Sequence, residues 1–179
     1  MAVDDRQARS DRRHCFTGFE PSLPLARNVC FTRAMQEAVV IVLRDGQQLL
    51  MIQRAPGVPR PGMWSPPTGK VESGESQASA VEREAMEELG LRVRATVRLW
   101  QCETDDGRYR LHWWLAEPVS LPIMLRPNAE EIIDCRWILP QDFDQLSPTF
   151  ARHGEFFLRA WPNWLRQCEA DRFSMDGSG

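Results

Sequence analysis

The sequence predicts an α/β (α+β) fold with a mixed central sheet and helices packed on its faces. Two β-hairpins are expected, one across Asp45-Gly46 and one across Asp105-Asp106-Gly107, because Asp-Gly dipeptides accept the positive φ of a tight turn. An amphipathic helix is expected between the hairpins, and further helical segments follow the last predicted strand. Strands and helices in this order indicate a sheet covered by helices.

Five segments are predicted to form strands, because they are apolar runs bounded by turn signals. They are residues 38–43, 48–54, 93–103, 108–117 and 132–139. Residues 55–69 form a loop between the first hairpin and the helix, and the prolines of this loop stiffen it. Residues 140–146 and 149–168 are predicted to be helical.

Length and composition indicate one domain with terminal extensions. The chain has 179 residues, of which 42% are hydrophobic and 26% charged, and this supplies enough apolar material for one core. We expect a partly flexible N-terminal arm at residues 1–34, a single domain at residues 35–168 that includes the C-terminal helix, and a frayed tail at residues 169–179.

Charge and hydropathy argue against several classes of partner. The formal net charge is −3, so neither nucleic acid nor a membrane is expected as a partner. No apolar run approaches the ~18–20 residues of a membrane span, and the N-terminus lacks the apolar middle of a secretory signal.

The five cysteines are widely spaced and form no CxxC pair, which predicts reduced thiols, a cytoplasmic location and no zinc site.

The helix expected between Gly74 and Gly90 carries acidic residues beside its apolar face. At ~100° per residue, four small or apolar side chains fall within about 60° of one another. They are Ala78, Val81, Ala85 and Leu89. Glu84 and Glu88 lie beside this stripe, and Glu87 lies about 60° beyond Glu84. The three carboxylates are therefore expected at the edge of the buried face, next to a cleft.

Carboxylates at this spacing repel one another, and the repulsion grows where the side chains are partly buried. Protonation would relieve it, and so would a divalent cation that binds the oxygens directly. Oxygen ligands alone suit Mg²⁺ or Mn²⁺. The ordinary alternative for a run of glutamates is a solvated helix face.

The spacing of glycine, glutamate and arginine in this segment is specific. Five residues separate Gly69 from Glu75, seven separate Glu75 from Arg83, and the run REAMEELGL ends at Leu91. This pattern resembles the Nudix box, the loop–helix–loop motif of hydrolases that cleave nucleoside diphosphates linked to another group. Every invariant position is filled, although Ala85 is smaller than the usual aliphatic residue. The resemblance implies a Nudix-like α/β/α sandwich with a mixed central sheet.

The resemblance implies that the box glutamates bind metal and take part in catalysis. Glu84, Glu87 and Glu88 are expected to hold one to three Mg²⁺ or Mn²⁺ ions, with Glu88 as the principal ligand. The backbone carbonyl of Thr68 is expected to be a further ligand. Many members have glycine at this position, and threonine resists positive φ, which leaves the geometry of this loop open.

Other box residues are expected to position the carboxylates. Arg83 belongs to the expected catalytic set, and the resemblance implies that Arg83 and Glu75 hold each other and orient Glu84. Gly69 and Gly90 are expected to support the two ends of the motif.

The general base and the phosphate ligands extend the site. Glu84 is one candidate base, because members of the family differ in which carboxylate deprotonates the water. Glu130 and Glu131, just before the last predicted strand, are candidates for a carboxylate from outside the box, and Glu131 is preferred. Arg54 and Lys70 are candidate ligands of substrate phosphate, with an exposed surface charge as the alternative for each.

The implied activity is Mg²⁺-dependent hydrolysis of a pyrophosphate bond in a nucleoside triphosphate or a related nucleoside diphosphate-linked substrate. Within that class, ADP-ribose, other nucleotide sugars and dinucleoside polyphosphates stay open as substrates. The alternative from another class is a non-catalytic, nucleotide-binding regulatory domain, against which the retained box glutamates argue. Homodimers are common among similar proteins, so a homodimer is one expected assembly.

Overall fold

A mixed sheet of seven strands forms the centre of the protein. The computed structural model describes the backbone of residues 34–176 and the side chains of residues 34–168. Its strands are β1 (Gln36–Asp45), β2 (Gln48–Arg54), β3 (Trp64–Ser65), β4 (Thr68–Lys70), β5 (Val93–Glu103), β6 (Tyr109–Pro118) and β7 (Ile132–Ile138). Its helices are α1 (Gln77–Leu89), α2 (Ala151–Glu155) and α3 (Trp161–Asp176). The predicted N-terminal arm, residues 1–34, lies outside the described residues apart from Ala34. The side chains of the predicted tail, residues 169–179, also lie outside them. Both the arm and the tail therefore stay predictions.

Both predicted hairpins are present, and a parallel strand pair joins them. β1 pairs antiparallel with β2 across Gly46 (φ +57°), and β5 pairs antiparallel with β6 across Gly107 (φ +64°). β1 lies parallel to β6 in a register that begins with Gln36 opposite Tyr109, which makes the sheet mixed. The strand order is β3-β2-β1-β6-β5, with β4 also bonded to β1 and β7 to β2.

The two strands of the first hairpin separate soon after their turn. Their register consists of Arg44 opposite Leu49 and Asp45 opposite Gln48. Further from the turn, β1 pairs with β4, whereas β2 pairs with β3 and β7. The sheet is therefore split at the end of this hairpin that lies away from the turn.

Helices cover both faces of the sheet, as the predicted three-layer sandwich requires. The core on one face includes four aromatic side chains from the segments after β7: Phe143, Phe156, Phe157 and Trp161. The core on the other face includes four residues of α1: Ala80, Val81, Ala85 and Leu89. Trp113 belongs to the first core and Trp114 packs against the second, because neighbouring side chains of a strand point to opposite faces. The predicted fold class is confirmed.

The helix α1 has the predicted ends but a rotated buried face. The hydroxyl of Ser76 accepts a hydrogen bond from the Ser79 N–H at 3.1 Å and caps the first turn. Gly90 ends the helix in the left-handed region at φ +60°. Ala78 is half-buried rather than part of the buried stripe, whereas Ala80 is buried. The centre of the buried face is shifted by roughly 45° from the predicted one, and this shift brings Glu88 into it.

Two predicted segments differ in detail from the structure. The loop at residues 55–69 contains β3 and the first two residues of β4, and both strands are too short to give a period in the sequence. The helix predicted at residues 149–168 is α2, a π-helical segment (Phe156–Ala160) and the start of α3. Pro162 follows the π-helical segment and has no N–H to donate to the preceding turn.

The segment predicted as a helix at residues 140–146 is a 3₁₀ helix, Pro140–Gln145, with proline in its first turn.

Within the described part of the chain, no helix combines the length and the apolar character needed to cross a membrane. The expected cytoplasmic location stays a prediction.

Replacing Ser76 with alanine should lower the free energy of unfolding by about 1 kcal/mol, because the first turn of α1 loses its side-chain cap. Urea unfolding of the full chain measures this. Ser73→Ala is the matched control, since Ser73 is exposed and its hydroxyl has no hydrogen bond within residues 34–168, and it should change stability by less than about 0.5 kcal/mol. Equal stability of the two variants would contradict the capping role.

Candidate functional site

One cleft of about 450 Å³ brings together most of the predicted site residues. It lies where the end of β2, the strand β4, the helix α1 and the start of β7 meet. The predicted residues that line it are Arg54, Thr68, Gly69, Lys70, Arg83, Glu84, Glu87, Glu88 and Glu131. Glu75 and Gly90 do not line the cleft: Glu75 accepts hydrogen bonds from Arg83, which does, and Gly90 ends α1.

Arg83 is the centre of the hydrogen-bond network on one wall of the cleft. Its guanidinium donates to Glu75 Oε1 at 2.9 Å and Oε2 at 3.0 Å, to Glu84 Oε1 at 2.8 Å and to Glu87 Oε2 at 3.0 Å. It also donates to the carbonyl of Lys70 at 2.8 Å, which ties α1 to β4. These bonds lower the pKa of Glu75 and raise that of Arg83. The Arg83 side chain is therefore held in its charged form and in one orientation.

Gly69 gives Glu84 room to lie against the backbone of β4. A Cβ atom on Gly69 would lie 1.8 Å from Glu84 Cδ, so any other residue would displace this carboxylate. The side chain of Glu84 is 13% exposed. Burial raises its pKa, although the hydrogen bond from Arg83 opposes the shift. The glycine of the box thus fixes where a carboxylate lies.

Glu88 is the most buried of the three box carboxylates. The residue is 4% exposed, and within residues 34–168 its carboxylate accepts one hydrogen bond, from the Thr68 N–H to Oε2 at 3.3 Å. Burial raises its pKa to about 8, and the negative charges of Glu84 and Glu131 add to the shift. The positive charge of Arg54 opposes it. The sequence placed Glu88 at the edge of the buried face, whereas the structure places it inside.

The donor set suits a hard divalent cation. Within residues 34–168, no three Asp, Glu, His or Cys side chains converge as a complete metal cluster. Arg83 binds one oxygen of Glu84 and one of Glu87. The buried and poorly hydrogen-bonded carboxylate of Glu88, however, has little compensation for its charge. An all-oxygen set of this kind fits Mg²⁺ or Mn²⁺.

Thr68 occupies an ordinary strand position. It lies in β4, and Arg60 (φ +59°) is the one non-glycine residue with a positive φ in the described part of the chain. Threonine therefore leaves the backbone of this strand unstrained, and Thr68 lines the cleft.

Arg54 and Lys70 bring two positive charges to the cleft. The Arg54 Nε donates to the Pro59 carbonyl at 2.8 Å, and Lys70 is exposed. Of the two candidate glutamates before β7, Glu131 lines the cleft and Glu130 is exposed outside it. The sequence did not single out Asn128, which donates a hydrogen bond to Glu131 at 3.1 Å.

The pKa of Glu88 is about 8 in the folded protein, against an ordinary value of 4.5. This difference makes the stability of the protein depend on pH. Between these two values the folded state holds a proton that the unfolded state has released, so the free energy of unfolding falls as the pH rises. In metal-free buffer the free energy of unfolding should fall by on the order of 5 kcal/mol across this window.

Urea unfolding across the same pH range with EDTA measures this loss. Glu88→Gln should remove it, whereas Glu82→Gln, the same change at an exposed position of α1, should keep it. Parallel stability curves for the wild type and Glu88→Gln would show that the buried carboxyl does not bind the proton.

Comparison with known proteins places this site in a family. A family model described as NUDIX domain matches residues 34–160. The chain is 39% identical over 105 residues to a Bacillus subtilis protein named "Putative 8-oxo-dGTP diphosphatase", an alignment that covers 59% of this chain and 66% of that protein. It is 28% identical over 120 residues to the NAD-capped RNA hydrolase NudC of Mannheimia succiniciproducens, covering 65% of this chain and 43% of that protein. The chain thus spans less than two thirds of the length of either relative.

A solved structure has the same fold. The MutT protein from Methanosarcina mazei Go1 superimposes with a TM-score of 0.62 at 20% sequence identity, over 72% of this chain and 94% of that one. The family model covers most of the chain, and the complete box with its Arg83 network lies within the matched residues. The chain therefore belongs to the NUDIX domain family.

Proposed function

We propose that the chain is a hydrolase, dependent on Mg²⁺ or Mn²⁺, that cleaves a pyrophosphate bond in a nucleoside triphosphate or a related nucleotide. The observation that carries the proposal is Glu88, a carboxylate buried in a cleft next to Glu84 and Glu131. A buried carboxylate beside like charges is costly in a site without a cation, and it is suited to binding one.

In this proposal Glu84, Glu87, Glu88 and the carbonyl of Thr68 hold the cation. A divalent cation bound there would supply neutralisation of the charge on phosphoryl oxygens. Arg83 keeps the carboxylates of Glu84 and Glu87 in place through its hydrogen bonds at 2.8 and 3.0 Å. These residues thus set the position of the negative charges before substrate arrives.

The remaining charged residues act on substrate and water. Arg54 and Lys70, which line the cleft, bind phosphate oxygens, since a guanidinium matches their geometry and an ammonium supplies a compact positive charge. Water attacks one phosphorus of the pyrophosphate link, the bond from that phosphorus to the bridging oxygen breaks, and the Glu131 carboxylate takes the proton of the water. We assign the proton to Glu131 because an oxygen of Glu84 is already bound to Arg83.

Nucleoside triphosphates, including oxidised purines, are our preferred substrates. The name of the Bacillus subtilis relative supports this preference, and that of the second relative supports NAD-capped RNA as the competing substrate. Release of phosphate or mononucleotide should therefore be measured on nucleoside triphosphates, oxidised purine nucleotides, ADP-ribose, a dinucleoside polyphosphate and NAD-capped RNA, with and without Mg²⁺. Binding without metal-dependent turnover on any of them would favour the regulatory alternative.

Glu88→Gln should lower kcat by about 100-fold or more on the best substrate of this panel, because the site loses its most buried charge. It should also abolish the rise in Tm that Mg²⁺ produces in the wild type. Glu82→Gln should keep both properties. Wild-type kcat in Glu88→Gln would refute the role of Glu88.

A further inference from the structure

The segment before β7 contains a residue that contacts both the metal-binding helix and the proposed base. We infer that Asn128 is a positioning residue that fixes the carboxylate of Glu131 toward the cleft. This inference rests on the proposed function, since it concerns the group that takes the proton of water.

The backbone of Asn128 is fixed on two sides. Its N–H donates to the carbonyl of Glu88 at 2.8 Å, in the last turn of α1, and the Arg126 N–H donates to the carbonyl of Leu89 at 2.7 Å. Carbonyls at the end of a helix have no partner within it, so these bonds fill acceptors that α1 leaves open. The carbonyl of Asn128 accepts from the N–H groups of Glu131 at 3.0 Å and Ile132 at 2.8 Å. Asn128 therefore joins the end of α1 to the start of β7.

The side chain of Asn128 has an orientation set by its two partners. Its Oδ1 accepts from the Glu130 N–H at 3.1 Å, and a backbone N–H can only donate. The Nδ2 group must then face Oε1 of Glu131, to which it donates at 3.1 Å. Within residues 34–168, Oε2 of Glu131 has no hydrogen-bond partner. One oxygen of Glu131 is thus held and the other is left for the cleft.

The electrostatics of the cleft explain why such a bond is needed. The charge of Glu131 acts on both Glu84 and Glu88, so the three carboxylates repel one another. A free Glu131 side chain would turn away from the cleft. An arginine would hold it but would also compensate its charge, as Arg83 does for Glu84. A neutral amide donor holds the carboxylate and leaves it a proton acceptor.

The test combines crystal structures with kinetics of the full chain. Asn128→Ser keeps a short side-chain acceptor for the Glu130 N–H and removes the amide that reaches Glu131. Asn128→Asp keeps the acceptor with the shape of the original side chain and also lacks the donor, so it is a second variant if the first folds poorly. We expect the Glu131 carboxylate to leave its position in both variants while the backbone of residues 126–131 stays in place.

The effect of Asn128→Ser on kcat should depend on the presence of the Glu131 carboxylate. Asn128→Ser should lower kcat by about 10-fold with little change in KM. In the Glu131→Gln background the same change should have no further effect, because there is no base left to position. A residue that only stabilises the loop would instead lower kcat equally in both backgrounds.

Three outcomes would overturn the inference: an unmoved Glu131 carboxylate in both variants, additive kinetic effects, or full kcat in Glu131→Gln. Absence of metal-dependent turnover by the wild type would contradict the proposed function instead. In that case the crystal structures would still decide whether Asn128 holds the Glu131 carboxylate.

Discussion

Glu88 lies in the face of α1 that packs against the sheet, and the rest of the site is arranged around this buried carboxylate. Its residue is 4% exposed, and its neighbours in the helix are the core residues Ala85 and Leu89. A carboxylate is rarely kept in such a place without a partner. The site therefore contains a carboxyl group whose ionised form is unfavourable for the fold and useful for binding a cation, a combination that is common at functional sites.

The small residues of the motif make this burial possible. Ala80 and Ala85 let α1 approach the strands closely, and Gly69 lets the side chain of Glu84 lie against β4. Arg83 then binds β4 through the Lys70 carbonyl, and its Nη1 binds the carboxylates of Glu84 and Glu87. The result is a wall in which neither strand nor helix can move without breaking charged hydrogen bonds.

Local signals in the sequence predicted much of this arrangement. The turns at Gly46 and Gly107 and the end of α1 at Gly90 follow from glycine at positions that require positive φ. The rotation of α1 could not be predicted from its own residues, because the face that is buried depends on the strands beneath it. For the same reason the sequence placed Glu88 at an edge.

Contacts between distant segments were not predictable from the sequence. Asn128 precedes Glu130 at a spacing that is typical of a turn, but nothing local indicates that its N–H binds the end of α1. The strands β3 and β4 are too short to give an alternating pattern, and they form because β1 and β2 offer unpaired edges.

The early separation of β1 and β2 has a consequence for how the cleft is held. Arg54 ends one of the diverging strands, and Thr68 belongs to the strand that pairs with the other, so the two walls of the cleft lie on strands that are not paired with each other. The diverging strands are joined at the exposed turn at Asp45-Gly46. Each wall of the cleft is therefore held by its own partner strand, and the turn ties the two walls together only at the end of the sheet away from the cleft.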